Sequence, residues 1–233
     1  MKRYLELIKK DIICLSRYHF LSMVAGLSFF FALLIGLTDF FPPMIYIYFS
    51  VFVLPVISFS VNLIIQDQQD ENKSEVSIRE STISKIISAT LIQLIPIIIY
   101  LIVLIFVLNY EFNIILFTLV YLLGALMHIV IGLTLSIIAK TPFALSLSYG
   151  VYLIVFSIIP IFYSVGMIPN DFHYLLIISP AYLSGVLFEE IIHPSNNFTL
   201  WFPLISVTLQ FIYMFIMYRF VISPFIKDYM KLV

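Results

Sequence analysis

Six long apolar stretches interrupt this chain of 233 residues. A helix needs roughly 20 apolar residues to cross the hydrocarbon core of a bilayer, and each stretch is long enough. Each must be helical, because lipid offers no hydrogen-bond partners to an open backbone. We place the six spans at residues 18–37, 43–65, 86–108, 114–138, 143–165 and 200–222. The sequence therefore predicts an all-α, polytopic integral membrane protein with one transmembrane domain over residues 1–233.

The composition supports lipid as the solvent of this chain. Hydrophobic residues make up 62% and charged residues 11% of it, and its mean hydropathy is +1.11. Soluble domains are about 45–50% apolar and about 25% charged. The spans leave little length for a soluble domain. Cys14 is the one cysteine, so no disulfide can form within the chain.

The basic residues orient the predicted spans. Cytoplasmic segments of membrane proteins carry an excess of Lys and Arg. With six spans, all 12 basic residues fall on one side: Lys2, Arg3, Lys9, Lys10, Arg17, Lys73, Arg79, Lys85, Lys140, Arg219, Lys227 and Lys231. The opposite side carries acidic residues and no basic ones: Asp39, Glu111, Asp171, Glu189 and Glu190. We expect a multi-pass protein of the cell membrane with both termini in the cytoplasm.

The first 17 residues predict an amphipathic helix. Leu5, Ile8, Ile12 and Leu15 recur at spacings of three and four, which places them on one helical face. Most of the basic residues lie off that face. A basic amphipathic helix tends to lie in the membrane interface. The alternative is a solvated start to the first span.

Residues 166–199, between the fifth and sixth spans, are ambiguous. Their section 172–192 is apolar enough for a seventh span, but Pro180 and Gly185 interrupt it. A seventh crossing would also place Lys227 and Lys231 outside. We interpret the segment as an external re-entrant hairpin of two short helices, broken near Pro180, that packs against the bundle.

The cytoplasmic segment 66–85 is the most polar part of the chain. It is far longer than the few residues needed to link two helices. A short helix there would present Val76 or Ile78, surrounded by charged residues, to a soluble partner. Its charged candidates are Asp67, Asp70, Glu71, Lys73, Glu75, Arg79 and Glu80. A solvated loop without a partner is the alternative.

The span interiors carry few polar candidates. His128 lies near the middle of the fourth span, on one face with Gly124, Gly132 and Ser136. Small residues at steps of four allow close helix packing, and this is the favoured interpretation. A substrate or proton role for His128 is the alternative. Gradient-driven transporters usually carry buried charges within their spans, and none is evident here.

Two common catalytic motifs are missing from the sequence. It contains neither Gly-x-x-x-x-Gly-Lys-Ser/Thr nor the Gly-x-Ser-x-Gly elbow of hydrolases. We therefore expect that the chain is not itself an enzyme, holds no cofactor or metal, and has no nucleic-acid partner.

The whole layout resembles the ABC-2 type permease family, the membrane subunits of ABC exporters, and most of all its small multidrug-type permeases. Residues 1–17 are similar to the connecting helix of the family. Asp67–Lys85 occupies the place of its coupling helix, although the family's Gly and Thr-Pro are missing. Ser179-Pro180-Ala181-Tyr182 is similar to the Asn/Ser-Pro-x-x-Tyr element of its external re-entrant helices, although only one residue separates Pro180 from Tyr182. The fourth likeness is the final span, which closes with Arg219 and a short basic tail.

The resemblance implies a transport function. Two permease subunits, identical or different, would face each other, and separate cytoplasmic ATPase subunits with bound ATP and Mg²⁺ would grip the coupling segment. The cargo would be a hydrophobic or amphipathic drug, peptide or lipid that is moved outward. Two alternatives remain: a transporter or channel driven by an ion gradient, and a membrane immunity or assembly protein that transports nothing.

Overall fold

A computed structural model describes residues 2–17, 19–37, 51–56, 58–59, 78–139, 141–169, 171, 176–192 and 201–230. These residues form helices, and no strand occurs among them. The predicted all-α class is therefore confirmed for the described part of the chain. Most of the second predicted span, 43–65, and most of the polar segment 66–85 lie outside the described residues.

The chain begins with two helices at a sharp angle. Helix α1 is Lys2–Arg17 and helix α2 is Phe20–Leu37. Their axes bend by 70°, and His19 at the bend has a left-handed backbone with φ of 57°. Together they are long and apolar enough for one broken crossing. The predicted N-terminal helix is thus present, and its position in the interface stays a prediction.

The third predicted span begins earlier than the sequence indicated. Helix α3 is Ile78–Ile92, so it includes the last residues of the segment predicted to be a coupling element. Helix α4, Leu94–Ile102, continues it after a turn at Gln93 and passes into a π-helical segment, Val103–Val107. Pro96 accounts for the break, because it has no N–H to donate to the carbonyl of Ile92.

Helix α5, Ile114–Ile138, is the centre of the bundle. Half of its most apolar window is buried (50%), compared with 17% for the last candidate span. The Asn113 side chain caps its first turn by accepting a hydrogen bond from Leu116 N at 3.1 Å. Neighbouring elements therefore cover much more of α5 than of the last candidate span.

The fifth predicted span is interrupted. Helix α6 is Pro142–Leu153, a π-helical segment covers Ile154–Ile158, and helix α7 is Ile159–Ser164. The span ends in a Schellman turn, in which Gly166 N donates to Tyr163 O at 3.0 Å and Met167 N donates to Phe162 O at 2.8 Å. Gly166 takes the left-handed conformation that this turn requires, with φ of +76°.

Two further helices complete the described fold. Helix α8 is Pro180–Ile192, and its first nine residues are all buried. Helix α9 is Trp201–Met217, continued by a π-helical segment, Tyr218–Ile222, and by helix α10, Ser223–Met230. Helix α8 contacts both α5 and α9. It therefore lies within the bundle instead of on its surface.

Four helices of the described chain are long and apolar enough to cross a membrane: Arg79–Val107, Ile114–Ile138, Phe143–Tyr163 and Trp201–Ile226. The bent pair α1 and α2 raises the count to five. Several helices that are long and apolar enough to span a membrane are thus confirmed. A count of six stays a prediction, as does the re-entrant hairpin, because residues 172–175 lie outside the described residues.

Candidate functional site

A buried carboxylate joins α1 to α3. The side chain of Asp11 is only 3% exposed, and one carboxylate oxygen accepts a hydrogen bond of 2.6 Å from Ser84 Oγ. Ser88 Oγ lies 3.3 Å from the same oxygen and 2.7 Å from the carbonyl of Ser84. A hydroxyl has one hydrogen to donate, so Ser88 bonds mainly to the carbonyl, and of the two serines Ser84 is the stronger donor to Asp11.

This junction also carries charge at its edge. Arg3 Nη2 lies 3.5 Å from Glu80 Oε2, with side chains 52% and 23% exposed. Exposed pairs of this kind contribute about 0–1 kcal/mol. Lys85, one residue beyond Ser84, is buried with only 8% exposed. We call Arg3, Asp11, Glu80, Ser84 and Ser88 the α1–α3 clamp.

The predicted coupling residues fall partly within the clamp. Glu80 belongs to it, whereas Arg79 is exposed on the first turn of α3. The remaining candidates lie outside the described residues: Asp67, Asp70, Glu71, Lys73 and Glu75. The clamp therefore fastens the N-terminal helix to the helix that contains the last residues of the polar segment.

Sequence reasoning missed Asp11. The apolar face predicted for α1 was Leu5, Ile8, Ile12 and Leu15, yet Leu5 is 59% exposed and Leu15 is fully buried. The packed face runs through Asp11, one turn before Leu15. Two patterns in the sequence could have indicated this contact. Asp11 lies one helical turn before the apolar Leu15, and Ser84 and Ser88 lie one turn apart on α3.

A second constellation surrounds the beginning of α8. Pro160 has no N–H, so the carbonyl of Phe156, four residues earlier, loses its helical partner. The hydroxyl of Ser179 donates to that carbonyl, and its oxygen accepts a hydrogen bond of 3.3 Å from Tyr182 N. Ser179 is thus the N-cap of α8 and also the partner of a carbonyl that proline left open.

Replacing Ser179 by alanine should lower the free energy of unfolding by about 1–2 kcal/mol, because both the cap and the donor are lost. Thermal unfolding in detergent micelles measures the change. Ser148→Ala is the matched control, since Ser148 Oγ only donates to Ala144 O, one turn back in its own helix. Equal melting temperatures for the two variants would contradict this role of Ser179.

The residues predicted for the external turn are both buried. Pro180 is the first residue of α8, and Tyr182 is 5% exposed. The ring of Tyr182 makes edge contacts with Tyr163, at a centroid distance of 6.1 Å, and with Phe202, at 6.3 Å. Burial raises the pKa of the Tyr182 hydroxyl above its ordinary value, and the nearby Tyr163 and Glu189 raise this pKa further. The hydroxyl therefore stays neutral at physiological pH.

The small residues of α5 lie at close helix contacts. A β-carbon on Gly124 would lie 3.0 Å from Ser184 Oγ of α8 and 3.1 Å from Val51. A β-carbon on Gly132 would lie 3.4 Å from Tyr149 Oη of α6. His128, midway between them, is fully buried, and its Nδ1 lies 2.6 Å from the carbonyl of Gly124. One face of α5 thus receives three neighbouring elements.

The described part of the chain contains no cluster of His, Cys, Asp and Glu side chains that could hold a metal ion. Comparison with family models, with curated proteins and with solved structures finds no match. The resemblance to ABC-2 type permeases therefore stays a prediction.

Proposed function

We propose that this chain is the permease subunit of an ATP-driven exporter, set in the cell membrane with both termini in the cytoplasm. The α1–α3 clamp is the observation that supports this most. It fastens α1 to α3, the helix that begins directly after residues 66–77, so that a force applied to those residues would move α1 and α3 together.

The distribution of buried charge also supports the proposal. Among the described residues, the buried charged side chains are Asp11 and Lys85, and both belong to the α1–α3 junction. A transporter coupled to an ion gradient usually carries such groups deep within its spans. An exporter that is driven by ATP hydrolysis in a separate subunit has no need of them there.

The cargo that suits these helices is apolar or amphipathic. The chain contains 23 Phe and 15 Tyr residues, and large apolar side chains remain exposed along α2 and α9. Lipid covers such surfaces, and a second permease subunit would cover some of them. A path between two subunits lined in this way favours drugs, amphipathic peptides or lipids over ions.

Purification of the tagged chain together with the products of its neighbouring genes tests the proposal. We expect an ATPase with a P-loop to co-purify with it. Reversing the charge at Asp70 and Glu71 should abolish the association, because oppositely charged groups on the partner would then face like charges. Glu111→Lys is the matched control, since Glu111 is exposed in the link before α5.

Two results would contradict the proposal. One is a purified chain without any ATPase, under conditions in which the chain itself remains folded and monodisperse. The other is an ATPase that binds equally well to the charge-reversed variant and to the control variant.

A further inference from the structure

His128 of α5 has one ring nitrogen bonded and the other open. Nδ1 lies 2.6 Å from the carbonyl oxygen of Gly124, and since a carbonyl can only accept, Nδ1 must carry the hydrogen. In the neutral ring Nε2 is then a hydrogen-bond acceptor. Because the two nitrogens point away from each other, Nε2 is directed out of α5 toward the neighbouring helices.

Tyr152 of α6 supplies a second open group beside it. The centroids of the two rings are 6.2 Å apart, and the side chains are 0% and 6% exposed. Neither His128 Nε2 nor Tyr152 Oη has a hydrogen-bond partner among the described residues. A buried polar atom without a hydrogen-bond partner lowers the free energy of unfolding by about 1–3 kcal/mol. Two such atoms on contacting rings would therefore destabilise the interface between α5 and α6 considerably.

One ligand could form hydrogen bonds with both of these atoms, although one atom is an acceptor and the other is a donor. Nε2 requires a donor, and Oη–H requires an acceptor. A water molecule offers both, through two hydrogen bonds of about 2.8 Å each. Buried waters typically join polar groups that the protein itself leaves unpaired.

Neighbouring elements enclose the two rings. The N-terminal end of α8 approaches from one side, where Ser179 bonds to Phe156 O, one turn along from Tyr152. Ser184 of α8 contacts Gly124, one turn along from His128. Phe52, at a centroid distance of 4.2 Å from His128, closes another side with an apolar ring.

We propose that His128 and Tyr152 form a buried binding site for one water molecule, which donates to Nε2 and accepts from Oη–H. This site joins α5 and α6. It does not depend on whether the chain is an exporter, and a failed search for an ATPase partner would leave it intact.

The substitution Tyr152→Phe tests the proposal through the sign of its effect. With a bridging water, loss of the hydroxyl breaks the bridge and lowers the melting temperature in detergent micelles by about 2–4 °C. In a dry interface the same substitution deletes an unsatisfied buried hydroxyl, and the melting temperature rises. Two control substitutions show the size of the shift to expect. Tyr213→Phe removes a known hydrogen bond of 3.1 Å to Ile178 O, and Tyr218→Phe removes the hydroxyl of a residue that is 54% exposed.

A double substitution tests whether the two groups act together. If one water joins them, His128→Phe combined with Tyr152→Phe shifts the melting temperature by less than the sum of the single shifts. If the two single shifts add, no shared ligand connects the two side chains and the proposal is overturned.

Radiolytic labelling in ¹⁸O-enriched water provides a direct measurement on the unmodified chain. Hydroxyl radicals formed from a bound water should oxidise Tyr152 more than Phe117, a fully buried ring on α5 that serves as the reference. The proposal is overturned by equal labelling of the two residues, or by a rise in melting temperature on Tyr152→Phe.

Discussion

Replacing Gly124 by leucine should lower the free energy of unfolding by at least about 1–3 kcal/mol, the usual cost of forcing extra atoms into a packed core. Any β-carbon at this position would lie 3.0 Å from Ser184 Oγ and 3.1 Å from Val51 Cγ1. Both neighbours are buried, so neither can move into open space. The most direct consequence is that α8 separates from α5.

Gly150→Leu is the matched control for this substitution. Gly150 also lies within a helix, but a β-carbon there would meet nothing within 4 Å. Removing a helical glycine in open space should stabilise the chain by about 0.5–1 kcal/mol. Thermal unfolding of both variants in detergent micelles therefore gives shifts of opposite sign. Ser184→Ala should recover part of the loss in the Gly124 variant, and equal shifts at the two glycines would contradict close packing at Gly124.

The sequence predicted the spans well because an apolar run long enough to cross a bilayer has few alternatives. Four of the six predicted spans overlap helices of the required length and composition. The start of α3 was harder to predict. Residues 78–85 are polar, and their helix is stabilised by contact with α1, which no local pattern reveals.

The candidate site was only partly predictable. Serine is favoured at the N-cap of a helix and proline at its first position. The pair Ser179-Pro180 therefore indicates in the sequence where α8 begins. The second bond of Ser179, to Phe156 O, depends on how two distant segments meet. Asp11 was missed for the same reason. An acid among lysines suggests a solvated helix face until its partners on α3 are known.

Replacing Asp11 by alanine should lower the free energy of unfolding by about 1.5–3 kcal/mol, the usual contribution of a hydrogen bond to a charged group. The main bond lost is the one of 2.6 Å from Ser84 Oγ. Its hydroxyl would then be buried without the carboxylate that it now donates to. We expect α1 to detach from α3 before the rest of the bundle unfolds, since the clamp includes buried hydrogen bonds between them.

Glu6→Ala is the matched control, because Glu6 is an exposed acid on the same helix. It should leave the melting temperature unchanged, and Arg3→Ala should change it little, since the Arg3–Glu80 pair is largely exposed. A double-mutant cycle of Asp11→Ala and Ser84→Ala then isolates the buried bond, and the two losses should be strongly non-additive. Additive losses would mean that Asp11 and Ser84 act independently. The α1–α3 clamp would in that case be too weak to transmit a force from the polar segment to α1.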